Sequence, residues 1–530
     1  MRQQLLFFVL LGTFLSLSAQ NQPLNVSFKA SFPYSDITQS QKLNDIWGYV
    51  DTSTGREYAL VGLTTGFSIV DVSSSTLTEK ARISGPYSTW RDIKTWGNHA
   101  FVVHDSWLAG SSQGLLVVDL SDIANGNAPF YSFTMNDSLE RAHNIYIDEQ
   151  GVAYLTGTNI GVGGALMLDV TNPNDIEVLG NYNDFYLHDC VTRGDTIWGG
   201  AIYQGFLVSV DVSDKSNPVE LGQVSTPNLF THNCWFSDDN QYVFTTDELT
   251  DSYVASYDVS DVANMQFLDQ IQSYYSDQTI PHNTHYLDGY LVNSYYTDGL
   301  QIVDAQYPDN LIDVGHFDTS PQFEGDGYNG AWGAYPYLPS GKVLVSDMEE
   351  GLVVFDVNYT RAAYLHLNVI DAITGAAIPN ANITFDNISE ASNLEGKLKT
   401  GTPTGGIYDI TCSKSGYLNF SDTVTVSNDV IVERTIVLHP GIGLEEFDET
   451  FSVETYKNSP EVHIHFPKEA FGEHVQILIS GIHGQLIEQV DIQDLQTQTT
   501  SLTLPSTEGT YVVAVYQGAH LKYSTQLVKL

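Results

Sequence analysis

An all-β chain, a seven-bladed β-propeller followed by two small β-sandwich domains, is the fold class that this sequence predicts. Two observations carry the prediction. One is a segment that recurs seven times: a small residue or Gly, three to five mostly apolar residues, then Asp. The other is a run of short, turn-bounded strands that continues from the last repeat towards the C-terminus. The repeats run from Gly66 to Asp71, Gly114 to Asp119, Gly164 to Asp169, Gly205 to Asp211, Val254 to Asp258, Gly299 to Asp304 and Gly351 to Asp356. Their aspartates lie 48, 50, 42, 47, 46 and 52 residues apart. A period of about 40 to 50 residues with β-rich, Gly-punctuated runs means propeller blades.

The elements follow in chain order. Residues 1–19 have Arg2 in a short polar start, an apolar run from Leu5 to Leu15, and Ser16-Leu17-Ser18-Ala19 before Gln20. This is the pattern of a secretory signal peptide, and its apolar run is too short to span a bilayer as a helix. No later uninterrupted apolar stretch reaches about 18 residues, so the mature chain is expected to have no transmembrane segment and to be secreted or held on the outer cell surface.

Residues 20–361 form the expected propeller. Each period holds an earlier strand pair, as in Ala153 to Gly157 or Tyr242 to Thr246, with hairpin turns such as Asp288-Gly289. After the repeat's Asp comes a turn, for example Val212 to Pro218, and then a strand such as Val219 to Val224, so four strands make one blade. The Asp, followed by Val-Ser or Val-Thr, suits a side chain that closes an Asx turn. The seventh unit lacks a clear fourth strand after Asp356, while Asn25 to Pro33 read as an extra strand before the first blade. The N-terminal strand is therefore expected to complete the last blade and remove an exposed sheet edge.

A length of 530 residues implies several domains, and 42% hydrophobic with 12% aromatic residues excludes general disorder. Against 64 Asp and Glu stand only 21 Lys and Arg, a net charge of -43. Such a surface repels nucleic acid and anionic lipid, and no nucleic-acid partner is expected. The three cysteines, Cys190, Cys234 and Cys412, are too few for a disulfide scaffold, and Cys190 and Cys234 recur at equivalent places as small buried thiols.

The Val-Asp-Val-Ser/Thr and Asn-Pro repeats, with Asp45 to Tyr49 and Gly55 to Gly62, resemble the LVIVD-repeat proteins called choice-of-anchor B over roughly Asn25 to Tyr359. That resemblance implies an exported propeller with interchangeable C-terminal anchors and supplies no reaction. Residues 362–440 resemble a carboxypeptidase-regulatory-like sandwich in Asn368 to Asp371, Thr374-Gly375, Ile378 to Ala381, Gly406 to Ile410 and Gly416-Tyr417. An acidic linker follows over 441–450. Residues 451–530 resemble a type IX secretion sorting domain in Ile479 to Gln485, Gly509 to Val513 and Leu527 to Leu530, with Lys457-Asn458-Ser459-Pro460 replacing the usual Pro-Asn-Pro. The resemblance implies passage across an outer membrane, with the type IX machinery as a partner.

The chemically suggestive feature stands just before the first strand of each blade. There Asn44-Asp45, Arg91-Asp92, His143-Asn144, His188-Asp189, His232-Asn233, His282-Asn283 and Asn329-Gly330 align. First strands line the central channel, so these pairs approach one of its mouths, and four of fifteen histidines recur at one ring position. One reading is a ligand-binding funnel of Arg91, Asp92, His143, Asn144, His188, Asp189, His232, Asn233, His282, Asn283 and Tyr296. In it, neutral His143, His188, His232 and His282 could hold a divalent metal, zinc or calcium. Asp105, Asp247, Glu248, Tyr296 and Asp347 stand near second-strand ends whose loops should open on the same mouth. The other reading is structural: each polar side chain bonds the neighbouring blade, which repetition at equivalent positions favours.

No nucleophile elbow, His-Glu-x-x-His helix, phosphate loop or dinucleotide fingerprint occurs, and no catalytic residue is assigned. His104-Asp105-Ser106 reads as a strand end rather than a triad. Asp247-Glu248 and Glu324 to Gly327 lack the ligand spacing of a calcium loop. Two function classes follow. The favoured one is a noncatalytic module that presents the funnel to an extracellular protein or glycan. The alternative is an enzyme acting on extracellular polysaccharide, in which a funnel His or Tyr296 moves a proton while Arg91 or a metal neutralises a carboxylate.

Overall fold

The computed structural model describes residues 22–34, 42–108, 111–273, 278–386, 388–440, 451–455, 461–481, 485–504, 509–517 and 520–529. The expected signal peptide, the acidic linker over 441–450, the segment 457–460 and residues 482–484 lie outside the described residues. The structure is all-β. No α-helix occurs among the described residues, and none of their helical turns is long and apolar enough to cross a membrane.

Seven four-stranded antiparallel sheets follow one another along the first 357 residues. Their first strands are Leu43–Asp51, Ile93–Trp96, Asn144–Ile147, Cys190–Arg193, Thr231–Phe236, Asn283–Leu287 and Ala331–Tyr335. Each first strand touches the next in cyclic order, and Leu43–Asp51 returns to Ala331–Tyr335. The ring is thus closed as a β-propeller, numbered below from the sheet of Leu43–Asp51.

The third sheet shows why the repeat reads as it does. Val152–Thr156 and Ala165–Asp169 are buried along nearly their whole length because neighbouring sheets cover both faces, which demands apolar runs rather than alternation. The outer strand Glu177–Tyr182 meets solvent over most of its length and admits Glu177 and Asn181. A bulge between third and fourth strands recurs in six sheets, at Ile69/Val70, Met167/Leu168, Ser209/Val210, Ser256/Tyr257, Ile302/Val303 and, in the seventh, Phe28/Ala30. Beside it Gly222 is obligatory, since a Cβ there would stand 2.0 Å from the carbonyl oxygen of Val262.

The repeated aspartates close the predicted turns. Asp71, Asp119, Asp169, Asp211, Asp258 and Asp304 each accept the amide two residues on, at 2.8 to 3.0 Å. Asp356 instead pairs with Lys29 at 2.6 Å. The hairpin turn Asp288-Gly289 has φ of 49° and 82°, the positive pair that a two-residue turn of this hand requires.

Val26–Phe32 lies antiparallel to Gly351–Val357 and is the outer strand of the seventh sheet. The N-terminus therefore finishes the last sheet, as the missing strand after Asp356 predicts. The seam between first and seventh sheets is also polar. Glu57 accepts the Ser340 amide at 2.8 Å, the Ser340 hydroxyl at 2.7 Å and Lys342 Nζ at 3.0 Å. Burial alone would raise the Glu57 carboxyl, but these donors hold it below the ordinary glutamate value. Its stabilisation is thus fully present above the unfolded glutamate pKa and is lost as pH falls through the lowered folded value. Glu57→Gln is expected to lower stability at neutral pH and to flatten the acid limb of stability against pH, measured by urea unfolding across that range. An unchanged acid limb would rule the seam out as an acid-sensitive closure.

The chain divides into two compact units, Met1–Leu365 with Lys399–Gly406 and Val426–Val432, and His366–Leu398 with Ile407–Thr425 and Glu433–Leu530. Within the first, Asp304 is fully buried and gathers Arg361 Nη1, the Ala362 amide and the Tyr364 hydroxyl, while Asn310 Nδ2 donates to the Thr400 carbonyl at 3.3 Å. The propeller's unit thus extends into the segment expected as the next domain. Residues 363–438 supply a three-stranded and a four-stranded sheet. Residues 452–529 supply another such pair, whose common apolar cluster includes Val462, Ile464, Val475, Ile477, Ile479, Val513 and Val515.

Candidate functional site

The starts of the first strands form two tiers. The lower tier is a chain of blade-to-blade bonds. Asp92 Oδ2 accepts Asn144 Nδ2 at 2.7 Å and the Ile145 amide at 2.9 Å, and Asn144 Oδ1 accepts the Cys190 amide at 3.3 Å. Asp189 Oδ2 accepts Asn233 Nδ2 at 3.0 Å, and Asn233 Oδ1 accepts the Thr284 amide at 3.1 Å. Asp92 Oδ1 also holds the buried Lys94 ammonium at 2.7 Å. Asp92, Asn144, Asp189 and Asn233 of the expected funnel therefore act as locks between sheets, in keeping with the structural reading, whereas Asn283 Oδ1 is buried without a partner.

The upper tier is an arc of imidazoles. Ring centres lie 3.9 Å apart for His143 and His188, 4.2 Å for His188 and His232, and 4.6 Å for His232 and His282. Trp332 continues the arc 4.8 Å beyond His282. Its carbonyl accepts from Ser294 as the His188 carbonyl accepts from Thr156 and the His282 carbonyl from Thr246, which makes Trp332-Gly333 the seventh pair. The alignment on Asn329-Gly330 is corrected by three residues. Arg91 is a second correction: its guanidinium is buried and donates to the carbonyls of Leu63 and Pro86, because the long side chain reaches back to its own approach loop.

Every Nδ1 in the arc is engaged. His143 Nδ1 faces Asp105 Oδ2 at 3.1 Å, and His188 Nδ1 faces Asp189 Oδ1 at 3.0 Å. His232 Nδ1 donates to the His282 carbonyl at 3.1 Å and His282 Nδ1 to the Trp332 carbonyl. Burial pushes His232 and His282 down to about 4, and burial with two flanking imidazoles pushes His188 well down. Burial also opposes protonation of His143, but Asp105 and nearby carboxylates outweigh it and raise that group.

Above the arc opens a cavity of about 990 Å³. Its walls come from the loops after second strands, which bring in Asp105, Glu248, Tyr296 and Met348. Tyr296 Oη donates to Glu248 Oε1 at 2.6 Å, and Glu248 stands 3.6 Å from His232 Nε2 and 3.8 Å from His282 Nε2. Burial raises the Glu248 carboxyl, and burial with Glu248 raises the Tyr296 phenol. Tyr296 is held at a φ of 37°, a left-handed conformation costly for an aromatic residue. Asp105 also binds Arg141 at 3.0 Å, and that guanidinium lies 3.7 Å over the Trp107 ring.

The mouth is aromatic. Tyr87, Trp90, Trp107, Tyr203 and Tyr328 are exposed around it, Trp107 at 75% and Tyr203 at 73%. These rings, with Arg141 and Trp332, are the lining that the sequence repeat does not mark. His143, His188 and Tyr296 line the cavity, while His232 and His282 lie just beneath it. Asp247 and Asp347 do not reach it. Both are fully buried and turn inward, Asp247 to the Asn228 amide and Asp347 to the amides of Glu349 and Glu350 and the Ser320 hydroxyl.

The opposite end of the channel is filled. Trp235 of the fifth sheet contacts Tyr146 of the third at 5.9 Å and stacks 6.0 Å from Tyr337, which follows the seventh sheet's first strand. Trp47 of the first reaches His285 of the sixth at 6.2 Å. Rings from non-adjacent sheets can meet only across the central axis, so the cavity is blind.

Ring, repeat and blind funnel together define a β-propeller, and residues 201–226 match the LVIVD repeat. No curated protein sequence matches the chain. Among solved structures, the crystal structure of the Cps50 (Swd1) β-propeller domain from Myceliophteria thermophila is similar to 61% of this chain over 100% of its own length. The identity is 11% and the TM-score 0.42.

Proposed function

We propose that the chain is an exported, seven-bladed propeller of the choice-of-anchor B type that binds a neutral, hydroxyl-rich glycan in its funnel. In this reading the seven sheets are the blades, residues 1–19 direct export, and residues 362–440 and 451–530 are β-sandwiches. The latter is a type IX sorting domain that brings the propeller to the outer surface. The observation that carries the ligand class is the pairing of an exposed aromatic rim with a polar, hydrogen-bonding floor. The C–H faces of sugars stack on such rings, and their hydroxyls bond carboxylate and imidazole.

Charge narrows the class. Arg141 is paired with Asp105 and Lys42 with Glu349, so neither wall cation is left over for an acidic sugar. The buried Arg91 is likewise withdrawn from the catalytic alternative, in which it would neutralise a carboxylate.

Affinity electrophoresis of the full chain in gels containing soluble β-glucan, xylan or polygalacturonate tests this. Retardation by a neutral polymer is expected, weakened about 10-fold in Trp107→Ala/Tyr203→Ala, since each ring contributes roughly 0.5–1.5 kcal/mol. Retardation by polygalacturonate alone, no retardation, or an indifferent double variant would each defeat the reading.

A further inference from the structure

We infer that His188, His232 and Glu248 form a binding site for a divalent first-row transition ion, zinc above all, at the base of the funnel. The inference goes beyond the glycan reading and does not depend on it. One ligand atom from each of the three side chains lies within 4.8 Å of the others, close enough for one ion to draw them together.

The tautomers supply the second observation. A backbone carbonyl can only accept, so the His282 and Trp332 carbonyls require N–H at Nδ1 of His232 and His282. In the neutral rings the lone pair then sits on Nε2. Both Nε2 atoms face the Glu248 carboxylate, at 3.6 and 3.8 Å, beyond hydrogen-bond reach and with electron pairs opposed. Two imidazole nitrogens that stand 3.6 and 3.8 Å from one carboxylate without a hydrogen bond are an arrangement that a cation between them relieves.

The outer partners also match a metal centre. His188 Nδ1 is oriented by Asp189, His232 Nδ1 by a carbonyl, and Glu248 by the Tyr296 hydroxyl. Ligating imidazoles are held in this way, with the second nitrogen fixed by carboxylate or carbonyl.

A second grouping, His143 with His188 and Asp189, competes for His188. It would draw on the Asp189 carboxylate, whose Oδ1 orients the His188 ring and whose Oδ2 holds Asn233 of the next sheet. The first grouping disturbs neither. His282 stands next to it as a further nitrogen donor. A donor set dominated by imidazole nitrogen suits zinc and its transition-metal neighbours and not calcium, which takes oxygen ligands. The four histidines expected together as ligands thus divide, with Glu248 taking a place among them.

The test uses the purified full chain, stripped with a chelator and titrated with zinc against a chromophoric competitor, then with cobalt(II) for its visible ligand-field spectrum. One zinc per chain is expected, with a cobalt spectrum of low-symmetry nitrogen and oxygen coordination. Glu248→Gln retains the acceptor for Tyr296, and His188→Gln keeps a polar side chain; each should weaken zinc binding by more than about 100-fold, beyond what outer partners contribute. Thermal unfolding of the stripped variants is the folding control. Variants that unfold early are replaced by the wild-type chain with and without zinc, whose melting temperature should rise with zinc. Absence of stoichiometric zinc in the wild-type chain, or zinc affinity unchanged in both variants, would overturn the site.

Discussion

Removal of residues 22–34 is expected to abolish cooperative unfolding of the propeller or to lower its melting temperature steeply. Val26–Phe32 meets Gly351–Val357 at six register positions, and Val26, Ala30 and Tyr34 are buried in the clusters beneath. Backbone bonds at about 1 kcal/mol each, with the lost apolar burial added, amount to roughly 5 kcal/mol or more. That is comparable with the whole stability of an ordinary domain, about 5–15 kcal/mol. The deletion also bares the edge of Gly351–Val357, which invites association. Circular dichroism melts of the truncated and full chains measure the effect, and adding a synthetic peptide of residues 22–34 should restore part of it by strand addition. Superimposable melts would show that the ring does not depend on this strand.

The second large effect is expected at Asp92. Its carboxylate holds the amides of Ile93 and Ile145, Asn144 Nδ2 and the Lys94 ammonium, and the Asp92–Lys94 pair is almost wholly buried. Asp92→Ala leaves that ammonium with a lost partner in a low-dielectric site, at a cost of about 3–5 kcal/mol. Asp92→Ala/Lys94→Met removes both charges and should recover a large part of the loss. Urea unfolding of wild type, both single variants and the double variant completes the cycle. A loss below about 1 kcal/mol in Asp92→Ala would mean that the locks between sheets carry little of the stability.

These two cases also mark what was legible in the sequence. The closing strand was visible because a missing element at Asp356 and a surplus one at Asn25 to Pro33 call for each other. The turn aspartates were visible because Asx chemistry is local and repeats with the blade. The first-strand pairs were legible by column, but a column says where a side chain starts and not where it ends. Arg91 shares its column with four histidines, yet its longer side chain returns to Leu63 and Pro86. Trp332-Gly333 escaped because it carries neither His nor Asn, while Asn329-Gly330 offers a similar pair three residues earlier. Trp107, Tyr203 and Arg141 come from loops of unlike length and composition, where no period exists to reveal them.

The aromatic plug formed by Trp47, Tyr146, Trp235, His285 and Tyr337 gives the cavity a single door. A polymer cannot be threaded through such a propeller as through an open tube. It can only be offered to it, by a free chain end or by the tip of a branch, and must leave by the way it came. On the glycan reading, a polymer that reaches the floor is therefore read at its terminus, so affinity should scale with the number of chain ends in a sample rather than with its mass. Fragmenting a long polymer at constant weight concentration would then increase occupancy.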